Sequence, residues 1–330
     1  MKITPLNTAT RFAFITALII VFLLSIVQVV PKHPLLLMER LFPYGGWVQI
    51  LIASIYGGIL YYKMQDRKQR PVWRKRAWLL FSIFFFLQLF IGIFVDNIFL
   101  MTGKLHLPIP ALILAGPIYR LEGLFMPILF FSTLLLSGPA WCSQLCYFGA
   151  WDAWIAGKGK MDQEQFKYHY AMRYTTFTLI IVGAIGLRLI GVSNVIATIA
   201  GISVGIIGIS IICIFTHKQR KMIHCSSYCP IGTITSFVKY ISPFRLKIDP
   251  TACTHCMLCT RTCRYDALHK EEIDRGKIGY TCTYCGDCLS SCKHNAIQYH
   301  FCRLRPIHAE RLWILITVVL HTCFLMIARI

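Results

Sequence analysis

Residues 253–292 decide the fold, and they read CTHCMLCTRTCRYDALHKEEIDRGKIGYTCTYCGDCLSSC. The stretch contains the spacing Cys-x2-Cys-x2-Cys-x3-Cys twice, with the second copy 29 residues after the first. Four thiols packed this closely are typical of a chain that binds a [4Fe-4S] cluster. A structural zinc site instead favours separated cysteine pairs with a longer spacer between them. The sequence therefore predicts two iron-sulfur clusters in this segment.

The same spacing predicts which cysteine binds which cluster. In two-cluster ferredoxins the fourth cysteine of each run ligates the other cluster. The predicted ligands are, for cluster 1, Cys253, Cys256, Cys259 and Cys292 and, for cluster 2, Cys282, Cys285, Cys288 and Cys263. The proline common after each fourth cysteine is replaced by Arg264 and Lys293. Basic groups near the sulfurs raise a reduction potential, so the sequence leaves the reducing strength of both clusters open.

The remainder of the chain is apolar in long blocks. Of its 330 residues, 56% are hydrophobic and 15% are charged, which indicates a membrane protein. A bilayer requires about 20 apolar residues per span, and two of the predicted spans are shorter, so six spans are the alternative to seven. The first span is predicted to remain as an uncleaved anchor, because Pro31-Lys32-His33 follows it where a cleavage site needs small residues. The predicted spans are residues 12–30, 47–62, 77–99, 121–137, 174–192, 194–216 and 312–330.

These patterns predict the fold class and the domains. The fold class is an all-α integral membrane helical bundle of about six to seven spans with an inserted small α+β two-cluster bacterial-type ferredoxin module. Residues 1–242 are the predicted transmembrane bundle with two Cys-x3-Cys loops, and residues 243–306 are the ferredoxin module with two [4Fe-4S] clusters. Residues 307–330 are a C-terminal transmembrane span.

The charges are distributed as in a protein with a fixed orientation in the membrane. The formal net charge is +20, and the loop between the second and third spans holds seven Lys or Arg residues against Asp66 alone. Because positive loops stay in the cytoplasm, this loop, the amino terminus, residues 138–173 and the ferredoxin module are predicted to be cytoplasmic. The predicted location is the bacterial inner membrane. The positive charge of the module offsets its anionic clusters, so no nucleic-acid partner is expected.

Four further cysteines form a second repeat. Residues 142–149 and 225–232 both read Cys-Ser-x2-Cys-x2-Gly, and each follows a predicted span. Two spans separate the copies, so both lie on the side of the membrane that carries the ferredoxin module. A Cys-x3-Cys spacing places two sulfurs one turn apart on one helix face, and two such faces can offer four thiolates to iron or to another cluster. The predicted metal ligands are Cys142, Cys146, Cys225 and Cys229. The alternative is that they are inert cysteines packed at helix ends.

The order of these motifs resembles that of the NapH/MauN-type membrane polyferredoxins. The match covers roughly residues 120–300, with Trp141-Cys142-Ser143-Gln144-Leu145-Cys146, then Cys225-Ser226-Ser227-Tyr228-Cys229-Pro230, then the two four-cysteine runs. The family motif is Cys-x3-Cys-Pro, and Tyr147 stands where the first proline is expected. The resemblance implies a subunit that oxidises quinol and passes electrons to a respiratory reductase. Quinone is then the substrate, and redox subunits of a respiratory complex are the partners.

Two other functions are compatible with the same motifs. Relatives of this family include copper-oxidase accessory ferredoxins, so the first alternative is an iron-sulfur accessory protein for metalloenzyme maturation or redox sensing. The second is a structural anchor that docks a soluble redox subunit. No Gly-x-Gly-x2-Gly turn, phosphate loop or serine-centred nucleophile motif is present, so nucleotide binding and hydrolysis are not predicted.

Ionisable residues near the outer ends of the spans are candidates for a quinone site, because charges in a membrane are costly and commonly functional. The candidates are Asp96, His106, Glu122 and Arg188. His106 lies in the Pro- and Gly-broken segment 105–118, which reads as a re-entrant loop. The simpler alternative is that the two acidic residues reach the membrane interface and pair with nearby arginines.

Overall fold

The computed structural model describes residues 5–100, 107–162, 164, 166 and 168–327. The described chain is mostly helical and contains one sheet of two strands. Its contacts divide it into two units: the first is Met1–His106 with Ile307–Ile330, and the second is Leu107–Pro306.

The helices of the first unit are α1 (Pro5–Val29), α2 (Leu37–Leu41), α3 (Gly45–Met64), α4 (Arg70–Phe94), a short 3-10 turn at Asn97–Phe99, and the last helix of the chain, α16 (Pro306–Ile327). The helices of the second unit are α5 (Leu112–Arg120), α6 (Phe125–Ser137), α7 (Trp141–Gln144), α8 (Tyr147–Ala156), α9 (His169–Leu189), α10 (Asn194–Ile211), α11 (His217–Gln219), α12 (Pro230–Val238), α13 (Leu258–Thr262), α14 (Lys270–Asp274) and α15 (Asp287–Ser291). Its strands are β1 (Phe244–Ile248) and β2 (Ile297–Phe301).

Six helical segments of the described chain are long and apolar enough to cross a membrane. They are Thr8–Val29, Arg70–Phe94, Phe125–Gln144, His169–Leu189, Asn194–Gln219 and Pro306–Ile327. The predicted span 47–62 corresponds to α3, which is not among the six, although its 20 residues rise about 30 Å. The predicted re-entrant segment corresponds in its described part to α5, a helix of nine residues. A multi-pass membrane bundle of about six to seven spans is therefore confirmed.

Close helix packing and one buried ion pair hold the first unit together. Gly57 lets α3 approach α1, since a Cβ at this position would lie 2.2 Å from Cδ1 of Ile20. Glu310 of α16 pairs with Arg67 and with Arg70, whose Nη2 lies 2.6 Å from the carboxylate. Burying these charges is tolerated because they compensate each other. The buried apolar residues of this unit include Ile20, Leu24, Leu36, Ile50, Ala53 and Val319.

The second unit carries the ferredoxin-like lobe, residues 244–301. Strand β1 pairs antiparallel with β2, so that Phe244 lies opposite Phe301 and Ile248 opposite Ile297. Alternate residues of β1 are buried, which gives the strand one face against the cysteine runs. All eight cysteines of the two runs lie in the segment between these two paired strands. The predicted small α+β module is therefore present within the helical chain.

Candidate iron-sulfur sites

The two cysteine runs of the lobe adopt the same backbone conformation. Helix α13 contains the third cysteine of the first run, and α15 contains the third cysteine of the second. Two positions within each run and one position three residues after its last cysteine have a positive φ, and these positions recur 29 residues apart. They are His255 and Tyr284, Met257 and Gly286, and Asp266 and Asn295. Backbone of this kind can turn successive N–H groups to one side and create a concave site for an anionic group.

The thiols of the lobe fall into two crossed groups. Burial raises the pKa of Cys259, and Cys292 and Cys253 raise it further, so these three sulfurs are neighbours. Burial also raises the pKa of Cys263 well above its ordinary value, and the thiols that add to this rise are Cys282 and Cys285 of the other run. The fourth cysteine of each run therefore lies beside the opposite run, which is the arrangement that crossed ligation requires.

The two groups differ in exposure. Cys282 and Cys288 are buried, whereas Cys256 is exposed. A cavity is lined by all four predicted ligands of cluster 1 together with the exposed side chains of His255 and His294. Cluster 1 is thus predicted at the outer surface of the lobe and cluster 2 in its interior.

The second repeat brings its four cysteines together from separate helices. Burial raises the pKa of Cys225 well above the ordinary thiol value, and the carboxyl group of Asp152 raises it further. The other three cysteines of the repeat contribute to the same rise, so all of them lie near Cys225. Burial likewise raises the pKa of Cys146, with Cys142 and Cys229 adding to the effect. The two Cys-x3-Cys pairs therefore lie near each other, and their binding of a metal stays a prediction.

One detail of that prediction is wrong: the two sulfurs of each pair do not share a helix face. The short helix α7 ends at Gln144, and Cys146 has extended backbone, with φ −77° and ψ 116°. Cys229 is likewise extended, with φ −70° and ψ 123°, after a single π-helical turn. The second cysteine of each pair instead precedes a new helix as its N-cap. An N-cap residue has non-helical backbone, which ends the preceding turn.

As N-caps, these two sulfurs lie beside the N–H groups of a helix start, and the sulfur of Cys146 accepts a backbone hydrogen bond. Gly149 N lies 3.5 Å from Sγ of Cys146, at the start of α8. Burial raises the pKa of Cys229, while the N–H groups of Gly232 and Ile231 lower it, at the start of α12. The N–H groups and the dipole of a helix start favour a negative charge. Both helix starts therefore favour the thiolate form that a metal centre needs.

Tyr147 and Pro230 occupy the same position in these helices. Each is the first residue of its helix, where proline is favoured because its missing N–H is not needed and its φ is already helical. Tyrosine can adopt the same conformation, so the two copies remain equivalent despite the sequence difference.

The carboxylate of Asp152 joins the two copies of the repeat. It belongs to α8, which follows the first copy, and its side chain is fully buried. Oδ1 accepts a hydrogen bond from the Thr216 hydroxyl at 2.7 Å, and Oδ2 accepts one from the backbone N–H of Cys225 at 3.0 Å. The sequence analysis missed Asp152. The only available signal was an acidic residue in an apolar stretch next to a cysteine pair.

The four-cysteine site lies directly against the ferredoxin-like lobe. The hydroxyl of Tyr265 donates to the carbonyl oxygen of Cys142 at 3.4 Å, and Ser143 Oγ donates to the carbonyl oxygen of Thr283 at 3.5 Å. Tyr265 follows Cys263, and Thr283 follows Cys282. The contact therefore involves the buried group of lobe cysteines, the predicted ligands of cluster 2.

The donor atoms fit iron-sulfur clusters. Each of the three groups contains four cysteines, and thiolates are the usual ligands of such clusters. Within the described ranges, no three His, Cys, Asp or Glu side chains are placed to hold a single metal ion. A single zinc ion would draw its sulfurs to about 2.3 Å from the metal, whereas a four-iron cluster is larger. Four thiolates in each group match the ligand set of a [4Fe-4S] cluster.

The structure describes three of the four candidate quinone residues. Asp96 is exposed and accepts a hydrogen bond from Ile98 N at 2.8 Å, which caps the adjacent 3-10 turn. Arg188 donates to the carbonyl oxygen of Tyr119 at 2.8 Å, and Glu122 is exposed. His106 lies outside the residues that the structure describes. These assignments stay predictions.

Comparisons with known proteins support the iron-sulfur assignment. A family profile described as "4Fe-4S binding domain" matches residues 119–163 and 203–249. Both copies of the Cys-x3-Cys repeat lie within these ranges, and the eight cysteines of the lobe follow the second range. An uncharacterized protein of Methanocaldococcus jannaschii is 37% identical over 54 residues, which is 16% of this chain and 22% of that protein. No solved structure matches the chain.

These findings define a class. The chain is a multi-pass membrane protein with a 4Fe-4S binding domain and a ferredoxin-like lobe. Iron-sulfur electron transfer is the function that this combination indicates.

Proposed function

We propose that this chain takes electrons from membrane quinol and passes them to a redox subunit of a respiratory reductase. The observation that carries the proposal is the contact between the four-cysteine site, which adjoins the ends of membrane helices, and the lobe. Iron-sulfur clusters supply one-electron transfer at potentials that the surrounding protein tunes. The ends of membrane helices thus adjoin the four-cysteine site, and this site adjoins the lobe that contains the other two groups of cysteines.

The ligands proposed for the three centres follow the sulfur groups. In the lobe, the set around Cys253 and Cys292 holds cluster 1, and the set around Cys282 and Cys263 holds cluster 2. A third centre is held by the four cysteines of the repeat, two of which are supplied with N–H groups by helix starts. Burial increases from the exposed Cys256 towards the repeat. We therefore place the third centre at the electron entry, cluster 2 in the middle and cluster 1 at the exit to the partner.

The proposal also includes the side of the membrane on which the lobe lies and the family to which the chain belongs. The positive loop charges support a cytoplasmic lobe in a bacterial inner membrane. The motif order supports a NapH/MauN-type quinol-oxidising subunit, and the equivalence of Tyr147 and Pro230 removes the main sequence difference from that pattern. Quinone is the proposed substrate.

The test is direct reduction by quinol. Protein purified without oxygen is mixed with a reduced quinol, and the visible absorbance of its clusters is followed. We expect bleaching in the wild type and none in the double variant C142A/C225A, whose lobe clusters still respond to dithionite. The variant C213A/C302A is the matched control, because these two cysteines are exposed and lie outside the three groups. A wild type that dithionite bleaches but quinol does not would rule out quinol oxidation and favour the accessory function.

A further inference from the structure

Arg173, in the first turns of α9, is a buried cation without an acidic partner. Its side chain is 2% exposed. Nη1 donates to the carbonyl oxygen of Ser226 at 2.9 Å, and Nη2 donates to the carbonyl oxygen of Gly232 and, at 2.6 Å, to Oγ of Ser236. Nε has no partner, and no carboxylate in the described part of the chain forms an ion pair with this guanidinium. A charge buried in this way is strongly unfavourable unless an anion compensates it.

The anions available to Arg173 are sulfurs of the four-cysteine site. Cys142 and Cys229 are close enough to interact electrostatically with the guanidinium. Burial raises the pKa of Cys229, and Arg173 opposes that rise. The carbonyl oxygen that Nη2 contacts belongs to Gly232 of α12, the helix whose N-cap is Cys229. Thiolates bound to iron would supply the missing negative charge.

Lys239, which follows α12, shows the same arrangement beside the lobe. It is 5% exposed, and its Nζ donates to the carbonyl oxygens of Gly279 at 3.0 Å and Tyr280 at 2.9 Å. Across the ranges that the structure covers, no carboxylate pairs with it. Burial raises the pKa of Cys282, and Lys239 opposes that rise. Cys282 is a proposed ligand of cluster 2.

One aromatic ring contacts both cations. The ring centroid of Tyr280 lies 4.8 Å from Cζ of Arg173 and 5.6 Å from Nζ of Lys239. Cations at these distances are attracted to the face of a tyrosine ring. Tyr280 therefore helps to retain two positive charges close together, each next to a different group of cysteines. Mutual repulsion disfavours this placement unless two anionic centres are present.

We propose that Arg173 and Lys239 are counter-charges for two neighbouring anionic iron-sulfur centres, and that each raises the reduction potential of its own centre. Arg173 acts on the centre of the repeat, and Lys239 acts on cluster 2. The inference rests on the proposed function. A reduced cluster carries one more negative charge than the oxidised cluster, so a nearby cation stabilises the reduced form more. Both residues are positioning residues, since neither is among the proposed cluster ligands.

The experiment uses R173Q and K239Q in the full-length protein, with each centre followed by electron paramagnetic resonance during a potentiometric titration. In R173Q we expect the ratio of reduced to oxidised repeat centre to fall about tenfold at a fixed potential, a shift of 59 mV for one electron. Cluster 2 should be unchanged in that variant. In K239Q, the ratio of reduced to oxidised cluster 2 should fall, and the repeat centre should be unchanged. K68Q is the control, because Lys68 is an exposed cation of the first unit and lies outside the three groups of cysteines.

The conservative variants R173K and K239R separate charge from shape. They keep the cation, so each should keep the wild-type potential of its centre. Loss of the repeat centre in R173Q with retention in R173K also supports the proposal. Its loss in both variants, or an unchanged potential in R173Q, overturns it. A wild type that lacks a third centre refutes the three-centre function instead, and the iron content shows this before any variant is made.

Discussion

At the residue scale, Gly232 matters to the repeat site because it has no side chain. A Cβ at this position would lie 2.4 Å from the carbonyl oxygen of Cys225. The N–H of Gly232 also acts on the sulfur of Cys229, as the equivalent glycine Gly149 does on Cys146. The glycine of the motif Cys-Ser-x2-Cys-x2-Gly therefore allows two segments that carry cysteines to approach each other.

The first prediction concerns this close approach. G232A should displace α12 from Cys225 and cost about 1–3 kcal/mol, the usual range for overpacking. We expect the repeat centre to be lost while the two lobe clusters remain, which iron analysis and electron paramagnetic resonance would show. G186A is the control, since no atom lies within 4 Å of a Cβ at that position of α9. Full iron content in G232A would contradict the proposed role.

A second residue-scale prediction concerns pH. The carboxylate of Asp266 accepts a hydrogen bond from His269, and this bond raises the pKa of His269, while burial and the nearby Lys221 oppose the rise. A raised folded-state pKa gives stability that is fully present below the unfolded value of about 6.5 and is lost as pH rises through the folded value. The stability difference between wild type and H269Q should therefore be largest near pH 6 and absent near about pH 9.

Thermal unfolding at several pH values measures this difference. H308Q is the control, because it changes an exposed histidine of α16. A difference that grows with pH would have the wrong sign and would show that His269 acts as a neutral side chain.

At the element scale, the sequence predicted the sulfur groups but not the local structure that produces them. The cysteine spacing was sufficient to predict the crossed arrangement in the lobe, because cysteines at short fixed separations can surround one cluster in few ways. It was not sufficient for the repeat, where a helical turn was expected and an N-cap was found at Cys146 and Cys229. Asp152 and Arg173 form hydrogen bonds with residues of other elements. The partners of Asp152 are 64 and 73 positions away in the chain. Those of Arg173 are 53 to 63 positions away. No local pattern could reveal those contacts.

The duplicated backbone of the lobe gives a prediction at this scale. Met257 and Gly286 are equivalent and both have positive φ, and at Gly286 a Cβ would lie 2.6 Å from the Tyr299 hydroxyl. M257G should be tolerated, because glycine adopts this conformation without strain. G286M should reduce the iron content of the lobe. Equal iron content in the two variants would show that the two runs do not differ at this position.

At the scale of the whole molecule, the charge of the loops determines the expected orientation. The apolar blocks were enough to predict a helical membrane bundle, since about 20 apolar residues in a row have few other stable structures. The sequence did not show that the last helix belongs with the first four, because that grouping depends on contacts such as those of Glu310 with Arg67 and Arg70.

The corresponding prediction tests orientation. A reporter that fluoresces only in the cytoplasm should be bright when fused after Arg76 or Arg305, because positive loops are retained there. It should be dark when fused after Lys104, which lies outside the residues that the structure describes. A bright signal at Lys104 would invert the topology and place the lobe on the opposite side of the membrane.

The unequal exposure of the two groups of lobe cysteines also bears on how the protein withstands oxygen. Cys256 is open to solvent, and the cavity beside it is bordered by exposed histidines. Oxidation of cysteine follows solvent access and thiolate character, so attack should begin at this outer site. The buried cysteines of the interior group and of the repeat should be reached later. A preparation handled in air would then lose cluster 1, the proposed electron exit, first, while the proposed entry centre at the repeat was still intact.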